Sequence, residues 1–319
     1  MSSPPTLPIG KLIAKYVLIA FIGCGAVVLG WEIMTWVHPP LLALGLGALN
    51  RKPMCGTLEA YHGVAKHDLQ ARLTAQISQA SHLVQTETTG LSLWDTPDGR
   101  YWIPTTSSTV LPGLLAQQAS DIYSSSSVGV RTGDIVLDCG AHVGVYTRKA
   151  LAAGASLVVA IEPAKANLEC LRRNFKAEIA AGRVVICPKG VWDKEELLPL
   201  YENPDNSAGD SFVIRASQDV VANSIPLTTI DNIVAEMRLS HVGLIKMDIK
   251  GATEKALQGA KRTLTRDKPR IAISTEEVED DPIRLTKQLR GMQLGYNVAC
   301  GTCSVTGRYM LNPDVLFFE

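Results

Sequence analysis

The stretch IVLDCGAHVGVYT, residues 135–147, decides the fold. An apolar run ends in Asp138, is followed by Gly140 and Gly144, and then continues as a segment typical of a helix. Glycines at such a strand-to-helix turn allow a tight turn and a close approach of the backbone to a ligand. In open parallel sheets, ligands bind beyond the carboxyl ends of the strands. The stretch therefore predicts a ligand-binding turn at the edge of a parallel α/β sheet.

Strand-like and helix-like segments alternate from residue 133 onward. Five apolar runs predict strands, at residues 134–140, 157–163, 183–193, 241–249 and 270–275. Two late runs, 295–300 and 315–319, have no clear helix between them. This order predicts a mostly parallel sheet with helices on both faces, ending in an antiparallel strand.

Upstream of this domain, two further units are expected. Residues 53–130 contain an amphipathic helical pattern at 57–84 and a hairpin signal at Asp98-Gly99, and this region should pack on the main domain, 131–319. Residues 1–52 form an N-terminal segment with an apolar run at 16–37, long enough to cross a bilayer core of about 30 Å. We therefore expect a membrane anchor helix at 16–37, with a cleaved signal peptide or a buried helix as alternatives.

Composition limits the possible functions. Of 319 residues, 46% are hydrophobic and 19% are charged, which excludes disorder over most of the length. Lys and Arg total 31, and so do Asp and Glu, so no overall positive field favours a nucleic-acid partner. The seven cysteines are expected to be mostly reduced and buried. Cys300 and Cys303 form a single C-x-x-C, which favours packing or an occasional disulfide over a metal site.

Two acids indicate the ligand. A nicotinamide-binding turn would place its first glycine where this chain has Asp138. A carboxylate there would repel a diphosphate but can face an ammonium group. Glu162, 18 residues after Gly144, ends the next predicted strand and could accept hydrogen bonds from both ribose hydroxyls. The pair describes S-adenosylmethionine, although both acids could instead only cap helices.

The sequence resembles the FkbM-type S-adenosylmethionine-dependent methyltransferases over about residues 90–319. The motifs that carry the resemblance are DCGAHVGVYT (138–147), IEP (161–163), PKGVWD (188–193), PLTTIDNIV (226–234) and KMDIKGATEKALQGAK (246–261). The resemblance implies a Rossmann-like class I methyltransferase fold. It also implies a set of cofactor-binding residues, namely Asp138, Gly140, Gly144, Glu162, Val191, Trp192 and Asp193. Asp248 is the first candidate for a general base, and Glu276 is the second.

Two departures from the family pattern leave two functions open. Lys250 and Thr253 stand where the family usually has Glu, and His142 stands where Asn is common. The first function is methylation of a hydroxyl on a sugar, glycan or secondary metabolite. The second is a non-catalytic methyltransferase-like binding protein. Since S-adenosylmethionine is made in the cytoplasm, an active domain is expected on the cytoplasmic side of the membrane.

Overall fold

The computed structural model describes residues 39–50, 54–278, 280–305 and 310–319. The predicted anchor at 16–37 lies outside these ranges. Among the helices within them, none is both long and apolar enough to span a bilayer. The predicted membrane localisation, with a domain on the cytoplasmic side, is corrected by this finding.

The N-terminal region combines two helices, a small antiparallel sheet and a third helix. Its elements are α1 (Pro39–Ala48), α2 (Thr57–Ala80), β1 (His82–Thr86), β2 (Leu91–Thr96), β3 (Gly99–Pro104) and α3 (Leu111–Ala119). The predicted hairpin is confirmed, because β2 and β3 pair antiparallel around a turn closed by Gly99 at φ +102°. The predicted helix at 57–84 is wrong at its end. Ser81 is extended and its hydroxyl donates to the Ile77 carbonyl, so the chain leaves the helix and enters β1.

The remainder of the chain alternates strands and helices. Its strands are β4 (Ile135–Cys139), β5 (Leu157–Ile161), β6 (Val184–Cys187), β7 (Gly190–Val191), β8 (Glu196–Glu202), β9 (Val220–Thr228), β10 (Leu244–Met247), β11 (Arg270–Ser274), β12 (Val298–Cys300), β13 (Cys303–Val305), β14 (Leu311–Pro313) and β15 (Val315–Phe318). Its helices are α4 (Val145–Ala152), α5 (Lys165–Asn174), α6 (Lys176–Ala180), α7 (Ile230–Glu236), α8 (Thr253–Gln258), α9 (Lys261–Asp267) and α10 (Asp281–Gly291).

Within the described residues, seven strands form the main sheet in the order β12-β15-β11-β10-β4-β5-β6. Five adjacent strands of this sheet are parallel, namely β6, β5, β4, β10 and β11. Strand β15 runs antiparallel to both of its neighbours, β11 and β12. The predicted mostly parallel sheet with an antiparallel ending is therefore confirmed. It is an open α/β fold with a mixed sheet.

The core lies on both faces of this sheet. Successive strand residues alternate between the faces, so Leu137 and Ile245 enter one apolar cluster while Val136 and Leu244 enter the other. All of these side chains are fully buried. Strands buried on both faces have near-continuous apolar sequences, which is why these runs were recognisable.

A second small sheet, in the order β7-β9-β8, was not predicted. Its hairpin of β8 and β9 is an insertion after the third parallel strand. The chain between β8 and β9 carries Ser207, Asp210 and Phe212 to the carboxyl edge of the main sheet, where they line a cleft. The insertion therefore contributes to the site.

The cysteines differ in part from expectation. Among the cysteines of the described ranges, Cys139, Cys170, Cys187 and Cys303 are buried free thiols, as predicted for most of the set. Cys55 and Cys300 form a disulfide with a sequence separation of 245. Of the two outcomes expected for the C-x-x-C, Cys300 therefore shows the disulfide and Cys303 shows packing. Its partner could not be identified from the C-x-x-C pattern, because that pattern gives no information about a residue so distant in sequence. The predicted absence of a metal site stays a prediction.

Candidate active site

A cleft opens at the carboxyl ends of β4, β5 and β10. About 850 Å³ of empty space lies in this cleft, a volume that includes its open mouth. Of the residues predicted for the site, Gly140, Glu162, Val191 and Asp248 line this cleft. The others do not line it, and they are Asp138, Gly144, Trp192, Asp193 and Glu276. All of these functional assignments stay predictions.

Asp138 is fully buried at the end of β4 and faces an ammonium group from its own chain. Lys246 on the neighbouring strand β10 stands in register with it, and the Lys246 Nζ lies 3.1 Å from Asp138 Oδ1. Thr147 donates to the other carboxylate oxygen at 2.7 Å. Lys246 also donates to the Gly140 carbonyl at 2.8 Å and lines the cleft. Lys246 thus lines the cleft while its buried partner Asp138 does not, so the group that faces the cleft is the positively charged ammonium.

Glu162 follows β5 and is held by backbone groups. Its Oε2 accepts from the His142 N–H at 2.8 Å, and its Oε1 accepts from the Ala164 N–H at 2.9 Å. Asn167 donates to Oε1 at 3.3 Å. Burial raises the pKa of Glu162, although these hydrogen bonds oppose that shift. Because a carboxylate has about four acceptor positions, the fixed side chain can still accept from a ligand.

His142 holds the insertion against the cleft. Its φ of +51° is in the left-handed region, where Asn is more common than His among L-residues. The ring Nε2 lies 2.8 Å from Ser207 Oγ, whereas Nδ1 is buried and has no hydrogen-bond partner among the described residues. Burial lowers the pKa of His142 to about 3, with Lys246 adding to the shift. The imidazole is therefore neutral and leaves one nitrogen available to a ligand.

Asp248 sits between Tyr123 and Lys250. The Tyr123 hydroxyl donates to Asp248 Oδ2 at 3.0 Å, and the Lys250 Nζ lies 3.1 Å from Oδ1. Burial alone would raise the pKa of Asp248, but the ammonium groups of Lys250 and Lys246 outweigh it and lower the pKa to about 2. Asp248 is thus an ionised hydrogen-bond acceptor and a weak base.

Lys250 joins two elements at the cleft. Besides its ion pair with Asp248, its Nζ donates to Glu277, which follows β11. Both acids raise the pKa of Lys250, although burial acts to lower it. The lysine that departs from the family pattern is therefore accommodated as the cation between two carboxylates.

Replacing Lys250 with Met should lower the free energy of unfolding at pH 7 by about 2 kcal/mol, because Asp248 loses the ion pair that depresses its pKa. A depressed carboxyl pKa stabilises the fold above the unfolded-state pKa, near 4, and this contribution is lost as pH falls toward about 2. The difference between wild type and variant should therefore shrink between pH 4 and 2. Urea unfolding across this range measures it.

Lys255→Met is the matched control for that measurement. Lys255 is also ion-paired, with Asp193 at 2.7 Å, but it is 44% exposed. Exposed pairs contribute roughly 0–1 kcal/mol, so this variant should remain near wild type. If Lys250→Met lowers the free energy of unfolding by the same amount at every pH, the assigned role of the ion pair is contradicted.

Glu276 lies beside this group without lining the cleft. Much of its side chain is exposed. Partial desolvation of its carboxyl group, together with the carboxylates of Asp314 and Asp248, raises its pKa to about 7. Its basicity therefore suits proton transfer near neutral pH, whereas its position is at the edge of the site.

The two predicted glycines serve different purposes. A Cβ on Gly140 would lie 2.1 Å from the Asp248 carbonyl oxygen, so this glycine allows β4 and β10 to approach where Asp248 enters the cleft. A Cβ on Gly144 would lie 2.1 Å from the Phe175 ring. Gly144 thus permits helix packing, away from the cleft.

The residues predicted to surround an adenine are separated. Val191 is buried and lines the cleft, whereas Trp192 packs in a cluster with Leu227 and Asp193 pairs with Lys255. Phe212, from the insertion, lines the cleft near Val191 and packs over Gly190, where a Cβ would lie 2.5 Å from its ring. Val191 and Phe212 are therefore the apolar side chains that this end of the cleft offers to a flat ring.

Sequence reasoning missed several cleft residues. The omitted set comprises Tyr123, Ser207, Asp210, Phe212 and Lys246. For Lys246 a signal existed, because a lysine inside an apolar strand needs a buried acid. The other four lie in loops before β4 and after β8, where no periodic pattern marks them.

Comparisons with known proteins agree with this architecture. A family model described as the methyltransferase FkbM domain matches residues 138–296. The 31-O-demethyl-FK506 methyltransferase FkbM of Streptomyces tacrolimicus is 26% identical over 185 residues, which cover 50% of this chain and 70% of that protein.

Solved structures were compared as well. Methyltransferase FkbM from Methylobacillus flagellatus matches with a TM-score of 0.49 and 17% identity, over 82% of this chain and 60% of that chain. A precorrin-6y C5,15-methyltransferase from Geobacter metallireducens matches with a TM-score of 0.35 and 15% identity, over 63% of this chain and 84% of that chain. This chain thus spans less than two thirds of the Methylobacillus chain.

The sheet order and the cleft at the carboxyl ends of β4, β5 and β10 define a methyltransferase-like α/β protein. The residues between β4 and β12 carry the motifs of one family in particular. The chain belongs to the FkbM-type methyltransferase family.

Proposed function

We propose that this protein transfers the methyl group of S-adenosylmethionine to a hydroxyl of a sugar, a glycan or a secondary metabolite. The observation that carries the proposal is that Glu162 and Asp248 line one cleft from the ends of β5 and β10, the two strands that flank β4. Family membership supports the cofactor. The Streptomyces relative is named as a 31-O-demethyl-FK506 methyltransferase, and this name supports an oxygen atom as the methyl acceptor.

The residues present fit this cofactor. Glu162 is fixed by two backbone N–H groups and by Asn167, which leaves about one of its four acceptor positions for a ribose hydroxyl. Two buried polar atoms close to it, His142 Nδ1 and Asn167 Oδ1, have no hydrogen-bond partner among the described residues. Such atoms cost free energy when left unpaired. Because His142 lines the cleft, a polar ligand there could pair with its ring.

When bound, S-adenosylmethionine would supply an activated methyl group on a sulfonium. The chain's own part is then to orient the acceptor, exclude water and receive one proton. Asp248 has the position to accept a hydrogen bond from the acceptor hydroxyl, but its pKa of about 2 makes it a weak base. Glu276, with a pKa of about 7, has the basicity. We therefore expect Asp248 to orient the hydroxyl and Glu276 to receive the proton at the mouth.

A second function has one observation in its favour. Lys250 occupies a family glutamate position and pairs with both Asp248 and Glu277. Carboxylates neutralised in this way are poor proton acceptors. This arrangement supports a methyltransferase-like protein that binds cofactor or acceptor without turnover.

The deciding experiment has two arms. Calorimetry with S-adenosylmethionine and S-adenosylhomocysteine tests binding. Transfer of tritium from labelled cofactor to a panel of sugars, glycans and hydroxylated metabolites tests turnover. Binding with transfer supports the enzyme, and binding without transfer in both wild type and Lys250→Glu supports the second function. Absence of binding would refute both.

Replacing Glu162 with Gln should weaken S-adenosylhomocysteine binding by about 1–3 kcal/mol, or roughly 5–150-fold in Kd. The reason is that the ribose hydroxyls lose a charged acceptor. Calorimetry measures the effect. Glu169→Gln, on the exposed side of α5 and paired with Arg173 at 2.8 Å, is the control and should bind normally. Equal affinity in the two variants would show that Glu162 does not contact the cofactor.

A further inference from the structure

Three cysteines of the described chain meet where α2 contacts the C-terminal part of the main domain. Cys55 precedes α2 and is bonded to Cys300 at the end of β12. Cys303 begins β13, is fully buried, and has its Sγ 3.9 Å from Cys55 Sγ. The bonded sulfur of Cys55 therefore has a second sulfur within contact distance.

We propose that Cys55, Cys300 and Cys303 form a thiol–disulfide exchange site that fastens α2 through either cysteine of the C-x-x-C turn. In the exchange, the Cys303 thiol loses its proton and its sulfur attacks Cys55 Sγ. The Cys55–Cys300 bond breaks, and the Cys300 sulfur leaves with the electron pair and takes up a proton. These three cysteines share one disulfide before and after the exchange, so neither an oxidant nor a reductant is consumed.

The surroundings of Cys303 set the rate of exchange. Burial raises the pKa of its thiol to about 12, and the nearby carboxylates of Asp314 and Glu59 add to the shift. Because the thiolate is the nucleophile, exchange is slow at neutral pH and accelerates in alkaline solution. The bond present in the structure is Cys55–Cys300.

The turn that carries Cys300 and Cys303 is also the docking surface of α2. Glu59 on α2 accepts from the Cys300 N–H at 2.8 Å. A Cβ on Gly63 would lie 2.7 Å from Cys303 Sγ and 2.8 Å from the Gly301 carbonyl oxygen, so helix and turn are in backbone contact. A bond to either sulfur holds the same two surfaces together.

The same helix positions part of the cleft. Lys66, further along α2, donates to the carbonyl oxygens of Asp121 and Ser124, at 2.6 and 3.3 Å. These two carbonyls flank Tyr123, whose hydroxyl donates to Asp248. The exchange site thus fastens the helix that fixes Tyr123, and an intact disulfide in either form keeps this part of the cleft in place.

The first test uses wild-type protein incubated at pH 7 and pH 9 with iodoacetamide and then mapped by mass spectrometry. Capture of the released thiol should yield alkylated Cys300 together with a Cys55–Cys303 disulfide, faster at pH 9. Alkylation of Cys303 with Cys55–Cys300 intact, or no reaction of either, would overturn the proposal. Cys303→Ser is the control and should retain Cys55–Cys300 with Cys300 unmodified.

The second test uses Cys300→Ser oxidised in its folded state by glutathione disulfide. Formation of Cys55–Cys303 is expected, whereas free Cys55 and Cys303 in a variant that unfolds cooperatively would overturn the proposal. Hydrogen exchange of residues 120–124 tests the connection to the cleft. It should be near wild type in the oxidised variant and faster in the reduced one, and equal rates would refute that connection.

Discussion

Replacing Lys246 with Met should destabilise the protein by about 3–5 kcal/mol, the cost of leaving one member of a buried ion pair without its partner. Lys246 is 4% exposed and Asp138 is fully buried, so water cannot replace the lost ammonium group. The Gly140 carbonyl would lose its donor as well. Urea unfolding measures the stability, and calorimetry with S-adenosylhomocysteine should show that binding is lost with it.

Two variants control this prediction. Lys149→Met removes an ion pair with Asp121 that is 39% and 53% exposed, and it should cost less than about 1 kcal/mol. Asp138→Asn combined with Lys246→Met removes both buried charges and should be less destabilised than Lys246→Met alone. If the double variant loses as much free energy of unfolding as Asp138→Asn and Lys246→Met lose together, the two charges are not coupled.

Replacing Gly140 with Ala should cost about 2–5 kcal/mol, because two effects add. A left-handed φ costs a non-glycine residue about 1–2 kcal/mol, and overpacking adds roughly 1–3 kcal/mol. The new Cβ would lie 2.1 Å from the Asp248 carbonyl oxygen, and this backbone atom cannot rotate away, because Asp248 directly follows β10 and its N–H donates to the Cys139 carbonyl. Asp248 must then move, so methyl transfer should fall together with stability.

Gly295→Ala separates the two effects. Gly295 has the same φ, +81°, but nothing lies within 4 Å of the added Cβ. This control should therefore lose only the conformational contribution and keep full cofactor binding. Equal unfolding free energies for the two variants would show that the contact with Asp248 carries no cost.

The parallel sheet could be predicted because each of its strands is buried on both faces and thus has a continuous apolar sequence. The hairpin of β8 and β9 lacks that signal, since its strands are only partly buried and Leu197 is 65% exposed. The end of α2 was missed for a related reason. The apolar pattern continues past Ala80, although the strand that follows is exposed throughout.

The site shows where sequence reasoning ends. Motifs identified Glu162 and Asp248, because acids at strand ends converge on one edge of a parallel sheet. A lysine inside an apolar strand signals a buried acid, but the sequence could not show that this acid is Asp138. Lys246 lies 108 residues from Asp138 and meets it only when β4 and β10 pair in register. The pKa of Asp248 likewise depends on contacts made after folding.

The disulfide between Cys55 and Cys300 has a consequence for synthesis of the chain. Its two cysteines are separated by 245 residues, which take about 10–50 s to translate at roughly 5–20 residues per second. During that interval α2 has left the ribosome while its docking turn does not yet exist. Cys55 belongs to a cluster of buried apolar side chains. From α1 and α2 this cluster contains Leu42, Leu46 and Val64, and from the C-terminal strands it contains Cys303 and Leu311. The apolar cluster shared by α1 and α2 is therefore complete only after β13 and β14 have been made.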